Sequence, residues 1–490
     1  MAAEPPAPHR TAAARRTRAR LYGFWTACAL CCTLGVRAHA GDELDRYVAQ
    51  PDASYAVHTI RTARVGGTEY LEAILTSQTW RGIPWKHQLF IVRPRRLDAS
   101  VNQALLFIDG GSWKAEYDST PAGELPRAAE EFVRLADALH APVAIVRQVP
   151  FEPLFDGRRE DALIAYTFDQ YLDTGDPDWP LLLPMVKSAM RAMDAAQQLA
   201  RQQWGLSIAR FTVSGASKRG WTSWLTAAVD PRVAAAAPMV IDMLDIPAQI
   251  QLQRQTFGAL SEQVKDYEEI HLPERINSPA GRELVSIVDP YSYRDRLVQP
   301  KLILLGTNDP YWPLDALNRY WNGLPEQKRV LYLPNQTHDL RDVDRLIGSL
   351  AALTRYSGRS KPLPEVSGVF TERGARLELA VQADRAPKRV LAWSARSPTR
   401  DFRQAAWSSR RCTRAGDIYE CEVDATGGSY TALYAEAVFH DRGEHDFSFS
   451  TTVHISGSAP TDRRVTQDDG VRPASRSALE VPEQEGTRDR

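Results

Sequence analysis

Cysteine is scarce in this chain, with five in 490 residues, and three of them, Cys28, Cys31 and Cys32, fall in the first forty. The remaining pair, Cys412 and Cys421, excludes a disulfide framework and leaves room for one local staple. An excess of basic charge is also missing, since 60 Lys and Arg stand against 61 Asp and Glu. That balance removes the electrostatic footprint of a nucleic-acid-binding protein. Long apolar runs are absent apart from Leu21 to Val36, sixteen residues, short of the roughly 20 a membrane-spanning helix needs. No internal repeat is found.

What is present at the start of the chain has a direction. Arg10, Arg15, Arg16, Arg18 and Arg20 precede the apolar run, and Ala38-His39-Ala40 follows it before Gly41. A basic region, an apolar core and an A-x-A motif read as a secretory signal peptide over residues 1–40, cleaved near Ala40-Gly41, with a secreted or periplasmic destination; an uncleaved anchor is the alternative. The leader holds six Arg and one Glu, so the rest of the chain is acidic by about six charges. In an oxidising compartment, Cys412 and Cys421 bracket Thr413 to Glu420 as a disulfide across a hairpin, contributing roughly 2–3 kcal/mol. Two free thiols or half of a metal site are the other readings.

Hydrophobic patterning predicts an α/β fold. Leu71 to Thr76 and His87 to Val92, around a turn with Gly82 and Pro84, read as an antiparallel hairpin at a sheet edge. Beyond it, apolar runs at Ala104 to Ile108, Val143 to Val146, Phe211 to Val213, Ala234 to Ile241, Leu302 to Leu305 and Val330 to Leu333 alternate with helical patterns. The helices are expected near Pro126 to His140, Leu183 to Gln203, Lys218 to Val229, Asp315 to Asn322 and Asp342 to Tyr356. Such alternation implies a mostly parallel, doubly wound sheet over residues 41–357. Insertions at about 151–182 and 242–297, the second helical, are expected to shape a pocket or lid. After a linker at 358–365, residues 366–456 turn to strand-length runs suited to an antiparallel β-sandwich, and 457–490 reads as a disordered tail.

Three strand ends carry the groups acyl transfer requires. Phe211-Thr212-Val213-Ser214-Gly215-Ala216-Ser217 is a strand breaking at a glycine, which presents Ser217 at the start of a helix. Asp309 follows Lys301 to Asn308, and His338 follows Val330 to Thr337, so the order is Ser, Asp, His, as in α/β-hydrolases. A serine hydroxyl needs a base; an imidazole, which titrates near neutrality, can take its proton, and a carboxylate can hold the imidazole in the useful tautomer. Asp315 is the alternative acid; His271 and His140 are poorer candidates for the base. The developing oxyanion is expected to meet the backbone N–H of Lys218 and that of Gly111 or Ser112, in the loop Asp109-Gly110-Gly111-Ser112-Trp113.

One feature departs from the common G-x-S-x-G pattern: Arg219 stands where the second glycine is expected. Lys218 and Arg219 would recognise an anionic substrate group, or pair with Glu160 and Asp161 as a solvated helix start. Trp113, Trp179, Trp221 and Trp312 are candidates to line a pocket, although core packing accounts for tryptophans equally well. His440-Asp441 and Glu444-His445-Asp446 read as a polar loop, so no metal or other cofactor is expected.

With these residues assembled, the chain resembles the PhoPQ-activated pathogenicity-related protein family of secreted α/β-hydrolase-like proteins. The resemblance runs from about Leu71 to Ser456. It rests on Thr79-Trp80-Arg81-Gly82-Ile83-Pro84-Trp85-Lys86-His87, Gln148-Val149-Pro150, Arg159-Glu160-Asp161, Gly215-Ala216-Ser217-Lys218-Arg219-Gly220-Trp221, Val288-Asp289-Pro290-Tyr291, Pro300-Lys301, Leu333-Pro334-Asn335 with His338, Ala395-Arg396-Ser397 and Asp401-Phe402-Arg403. The elbow is also similar to that of glucuronoyl esterases, by analogy only. The expectation is a serine hydrolase cleaving an ester or amide of a small-molecule, glycan or peptide substrate; the alternative is a non-catalytic secreted binding or signalling protein on the same scaffold.

Overall fold

Alternate residues of a strand point to opposite faces, and here both faces are apolar. In the computed structural model, Val143 and Ile145 join one core while Ala144 and Val146 join the other, and Leu302 and Leu304 oppose Ile303 and Leu305 in the same way. Each such Val, Leu or Ile side chain, fully buried, contributes roughly 1.5–3 kcal/mol. The described residues are 42–65, 67–98, 102–118, 129–425, 429–440, 445–457 and 463–466. The leader expected over 1–40, nearly all of the tail expected over 457–490, and Asp441 and Glu444 lie outside them.

The first helix, α1 (Asp42–Ala49), precedes strands β1 (Ala56–Val65), β2 (Thr68–Trp80) and β3 (Ile83–Val92), which form an antiparallel edge. Next come β4 (Gln103–Ile108), α2 (Ala129–Leu139), β5 (Val143–Val146), α3 (Glu160–Thr174) and α4 (Leu182–Trp204). The chain continues through β6 (Arg210–Ala216), α5 (Lys218–Val229) and β7 (Val233–Met239) to the helical insertion α6 (Ile246–Phe257), α7 (Lys265–Glu269), α8 (Leu272–Arg275) and α9 (Pro279–Val288). Strands β8 (Lys301–Gly306) and β9 (Lys328–Leu333) and helix α10 (Val343–Gly358) close this half. The sheet runs β1-β2-β3-β5-β4-β6-β7-β8-β9, parallel from β5 onward. One face buries Leu183, Val186 and Trp224 of α4 and α5, and the other Leu135 and Leu139 of α2 with Leu350 and Leu353 of α10. This is the α/β-hydrolase arrangement. Asp315 to Asn322, expected as a helix, makes two short 3-10 turns at Ala316–Arg319 and Trp321–Gly323.

The last ten strands are β10 (Val366–Arg373), β11 (Arg376–Ala383), β12 (Arg389–Ser397), β13 (Ser408–Arg411), β14 (Thr413–Ala415), β15 (Ile418–Asp424), β16 (Tyr430–His440), β17 (Asp446–Ser450), β18 (His454–Ser456) and β19 (Arg463–Thr466). They divide between two sheets. Strands β17, β16, β12 and β13, with β18 beside β16, extend the central sheet beyond β9 through the pair Ser450 and Val330. The other five form an antiparallel sheet ordered β14-β15-β11-β10-β19. Leu379 and Val381 of that sheet share a core with Leu433 and Phe449 and with Leu350 and Leu353 of α10. The antiparallel part therefore shares both a sheet and a core with the parallel part. Cys412 and Cys421 are disulfide-bonded across the β14–β15 hairpin.

Candidate active site

Parallel strands bring their carboxyl ends to one rim, and the register here is close. Ile108 of β4, Gly215 of β6 and Pro238 of β7 are neighbours, as are Gly306 of β8 and Leu333 of β9. The turns and loops that follow these ends carry Gly111, Ser112, Ser217, Asp309 and His338, and Lys218 and Arg219 open the helix after Ser217.

Ser217 caps α5 with φ 57° and ψ −127°, a conformation that is strained for any residue bearing a Cβ, by about 1–3 kcal/mol. The strain holds because the turn is over-determined. The Ser217 N–H donates to Met239 O at 2.9 Å, and its carbonyl accepts from Trp221 N–H at 2.9 Å. A Cβ on Gly215 would meet the Arg219 backbone at 2.8 Å, and one on Gly220 would meet Ile241 at 2.8 Å and Met239 O at 2.9 Å. Gly215 and Gly220 thus give the close packing of helix on strand, which frees the Arg219 position for a side chain.

Asp309 and His338 meet. His338 Nδ1–H donates to Asp309 Oδ2 at 2.8 Å, and the other carboxylate oxygen accepts Tyr311 N–H at 2.9 Å. The pairing follows from a close backbone crossing at Gly306, where a Cβ would lie 2.5 Å from both Gln336 O and Thr337 O. Thr307 and Asn308 tie the same loop down: Asn335 N–H donates to Thr307 Oγ1 at 2.9 Å and Asn308 N–H to Gln336 O at 3.0 Å. The Tyr311 ring stacks on the imidazole with centroids 4.2 Å apart. With Nδ1 committed to the carboxylate, Nε2 is the nitrogen left for proton transfer. It is buried and has no hydrogen-bond partner among the described residues, so Ser217 Oγ is not bonded to it.

A family description, PhoPQ-activated pathogenicity-related protein, matches residues 44–403. The chain belongs to this family. It is 30% identical over 387 residues to autocrine proliferation repressor protein A of Dictyostelium discoideum, covering 74% of this chain and 76% of that one. Among solved structures, acetyl xylan esterase 1 from Thermoanaerobacterium sp. JW/SL YS485 aligns with a TM-score of 0.41 and 17% identity over 63% of this chain and 92% of its own. A glucuronoyl esterase from Solibacter usitatus aligns with a TM-score of 0.39 and 12% identity over 64% of this chain and 91% of its own.

Within this family member, the two cations after Ser217 are already paired. Lys218 Nζ donates to Asp161 Oδ2 at 2.9 Å and lies 3.1 Å from Glu160 Oε2. Burial alone would lower the lysine's pKa, but Asp161 and Glu160 hold it above its ordinary value. Arg219 grips Glu160 with both Nη atoms at 2.8 Å and donates Nε–H to Val149 O at 2.6 Å. Its guanidinium lies so close over Gly110 that a Cβ there would come within 2.4 Å of Nη2. Burial pushes Glu160 up, and the Arg219 fork with Lys218 overrides it, leaving its pKa at about 2.

The glycine loop is fixed from below, with Gln148 N–H on Gly110 O at 3.0 Å and Val149 N–H on Asp109 O at 3.1 Å. Gly111 takes a φ of +104°, and Ser112 Oγ accepts from Arg159. A cavity of about 100 Å³ opens beside Ser217 and Lys218; Trp221 and Trp312 line it, whereas Trp113, Trp179, Gly111, Ser112 and Arg219 do not. Trp179 packs instead against Trp80, Phe155 and Tyr166, and Trp113 against Tyr117 and Phe151.

Sequence reasoning missed several neighbours. Tyr311 carried no signal beyond its place two residues after Asp309. Asp161, besides pairing with Lys218, also accepts from Tyr267 OH at 2.9 Å. Asp242, at the end of β7, faces the same small cavity as Asp309 and accepts Tyr320 OH at 2.7 Å. Burial, with Asp309 and Asp315 nearby, pushes its pKa up to about 8.

Proposed function

We propose that this protein is a secreted serine hydrolase that cleaves an ester or amide through an acyl-enzyme. Ser217 attacks the substrate carbonyl while His338 Nε2 takes its proton; Asp309 keeps Nδ1 protonated and balances the imidazolium. The resulting oxyanion is held by the backbone N–H of Lys218 and that of Gly111 or Ser112. Collapse expels the alcohol or amine with the proton from His338, and water repeats the sequence to release the acid. The observation that carries this reading is the 2.8 Å bond between His338 Nδ1 and Asp309, on loops beside the strained Ser217 turn. A missing Ser217–His338 bond is compatible with it, because catalytic hydrogen bonds often tighten only with substrate bound. Export accords with the leader-like residues 1–40 and with the Cys412–Cys421 disulfide, which suits an oxidising compartment.

A second reading, a non-catalytic secreted binding or signalling protein, is favoured by the same unpartnered Nε2 and by a relative named as a proliferation repressor. Labelling with a fluorophosphonate separates the two. The hydrolase reading expects covalent capture that disappears in Ser217→Ala; an unlabelled, folded wild-type protein would favour the second.

A further inference from the structure

The rim holds two cavities of opposite character on either side of Leu260, which lines both. The first, about 100 Å³, touches Ser217 and is walled by Phe168, Trp221, Ile246, Ile250, Val264 and Leu272. Of its amides, Gln249 Nε2 donates to Leu244 O and Ala316 O and Gln253 Oε1 accepts from Ser261 N–H, whereas Gln249 Oε1 is buried with no hydrogen-bond partner among the described residues. Ile246 and Ile250 lie one turn apart on α6 and are only half-buried. Among the described residues only Val298, 64% exposed, is a large hydrophobic residue open to solvent outside this wall. An apolar cavity of about 150 Å³ accepts a benzene-sized guest, which sets the scale.

The second cavity, about 860 Å³, is polar, with Asn308, Asn335, Thr337, Gln263 and the Asp401–Arg403 ion pair on its walls. It borders the two loops that carry Asp309 and His338. In acyl transfer the imidazole gives its proton to the leaving group, so the leaving group belongs on the histidine side.

We infer that the cavity beside Ser217 is an acyl subsite for an apolar acyl group of propionyl to butyryl size, and that the second cavity receives a polar, water-soluble alcohol. The substrate class is thus an ester of a short-chain apolar acid with a hydrophilic alcohol. This inference rests on the hydrolase reading. It assigns to the helical insertion α6–α8 the selection of acyl length.

The test measures kcat/KM for p-nitrophenyl acetate, butyrate and hexanoate with the full chain, alongside fluorophosphonate labelling of Ser217. Each methylene entering the cavity raises kcat/KM about fourfold, so butyrate should exceed acetate by about 16-fold and hexanoate should gain little more. Ile250→Trp fills the cavity and should lower the butyrate-to-acetate ratio at least about fivefold. Val264→Phe gives the same readout should the tryptophan variant fail to fold, with labelling of Ser217 reporting a native site. Labelled protein that hydrolyses acetate as fast as butyrate overturns the acyl subsite and leaves the hydrolase reading intact. Folded protein that neither labels nor turns over any ester overturns both.

Discussion

Replacing Arg219 by Met keeps the apolar stem and removes the fork that ties α5 to Glu160, Val149 and the loop at Gly110. The ordinary glutamate value of 4.5 falls to about 2 in the folded protein. At about 1.4 kcal/mol per unit this corresponds to roughly 3 kcal/mol of stability. The Glu160 side chain is 44% exposed and Lys218 Nζ remains near it, so screening reduces the figure to about 2 kcal/mol. Because the folded pKa is depressed, the stabilisation is present above the unfolded value and is lost as pH falls toward the folded one. Urea denaturation should therefore show Arg219→Met less stable by about 2 kcal/mol at pH 7, with the gap narrowing by about 1 kcal/mol at pH 3.5. The rate of fluorophosphonate labelling should also fall, since the glycine loop loses its cover. A gap that stays constant over this pH range would show that the loss is one of packing and that the ion pair is not its source.

Three further outcomes follow from the geometry. Asp309→Asn preserves shape but removes the carboxylate charge that faces Nδ1, so kcat on an activated ester should drop by roughly 10³–10⁴ with KM little changed; a loss below tenfold would show that Asp309 does not orient the base. Gly306→Ala places a Cβ against Gln336 O and Thr337 O, with an expected loss of about 1–3 kcal/mol and slower labelling of Ser217; unchanged stability would mean that the crossing is looser than described. The folded pKa of Asp242 is raised to about 8, so its contribution to stability declines as pH rises from the ordinary carboxyl range through 8. Asp242→Asn removes that decline, and its stability relative to the parent should increase by about 2–3 kcal/mol between pH 6 and 8; parallel profiles in urea would refute the assignment.

The parallel half of the sheet is legible in the sequence because each strand is buried on both faces and therefore reads as an unbroken apolar run; Val143–Val146 is read to the residue. Ser217 is legible because a strained turn needs Gly215 before it, and the Asp309 and His338 loops because they follow two such runs. Other features depend on contacts between distant segments. The joining of β17 to β9 rests on a single residue pair, Ser450 with Val330, for which no local pattern exists. Strand β1 has no buried residue, and a bulge near Ile60 with Arg61 and Arg64 interrupts its apolar positions Val57, Ile60, Ala63 and Val65, so no regular alternation can be read. The fate of the Arg219 side chain is equally hidden: Gly110, Val149 and Glu160 lie 59 or more residues away along the chain and converge on it only through the sheet.

The central claim is that Ser217 forms a covalent acyl intermediate. Rapid mixing with a p-nitrophenyl ester, followed by quenching and mass analysis of the peptide containing Gly215 to Gly220, tests it directly. A burst of up to one equivalent of nitrophenolate and an acyl mass increment on Ser217 are expected, both absent from Ser217→Ala. Undiminished turnover in Ser217→Ala, or an increment on any other residue, would contradict it.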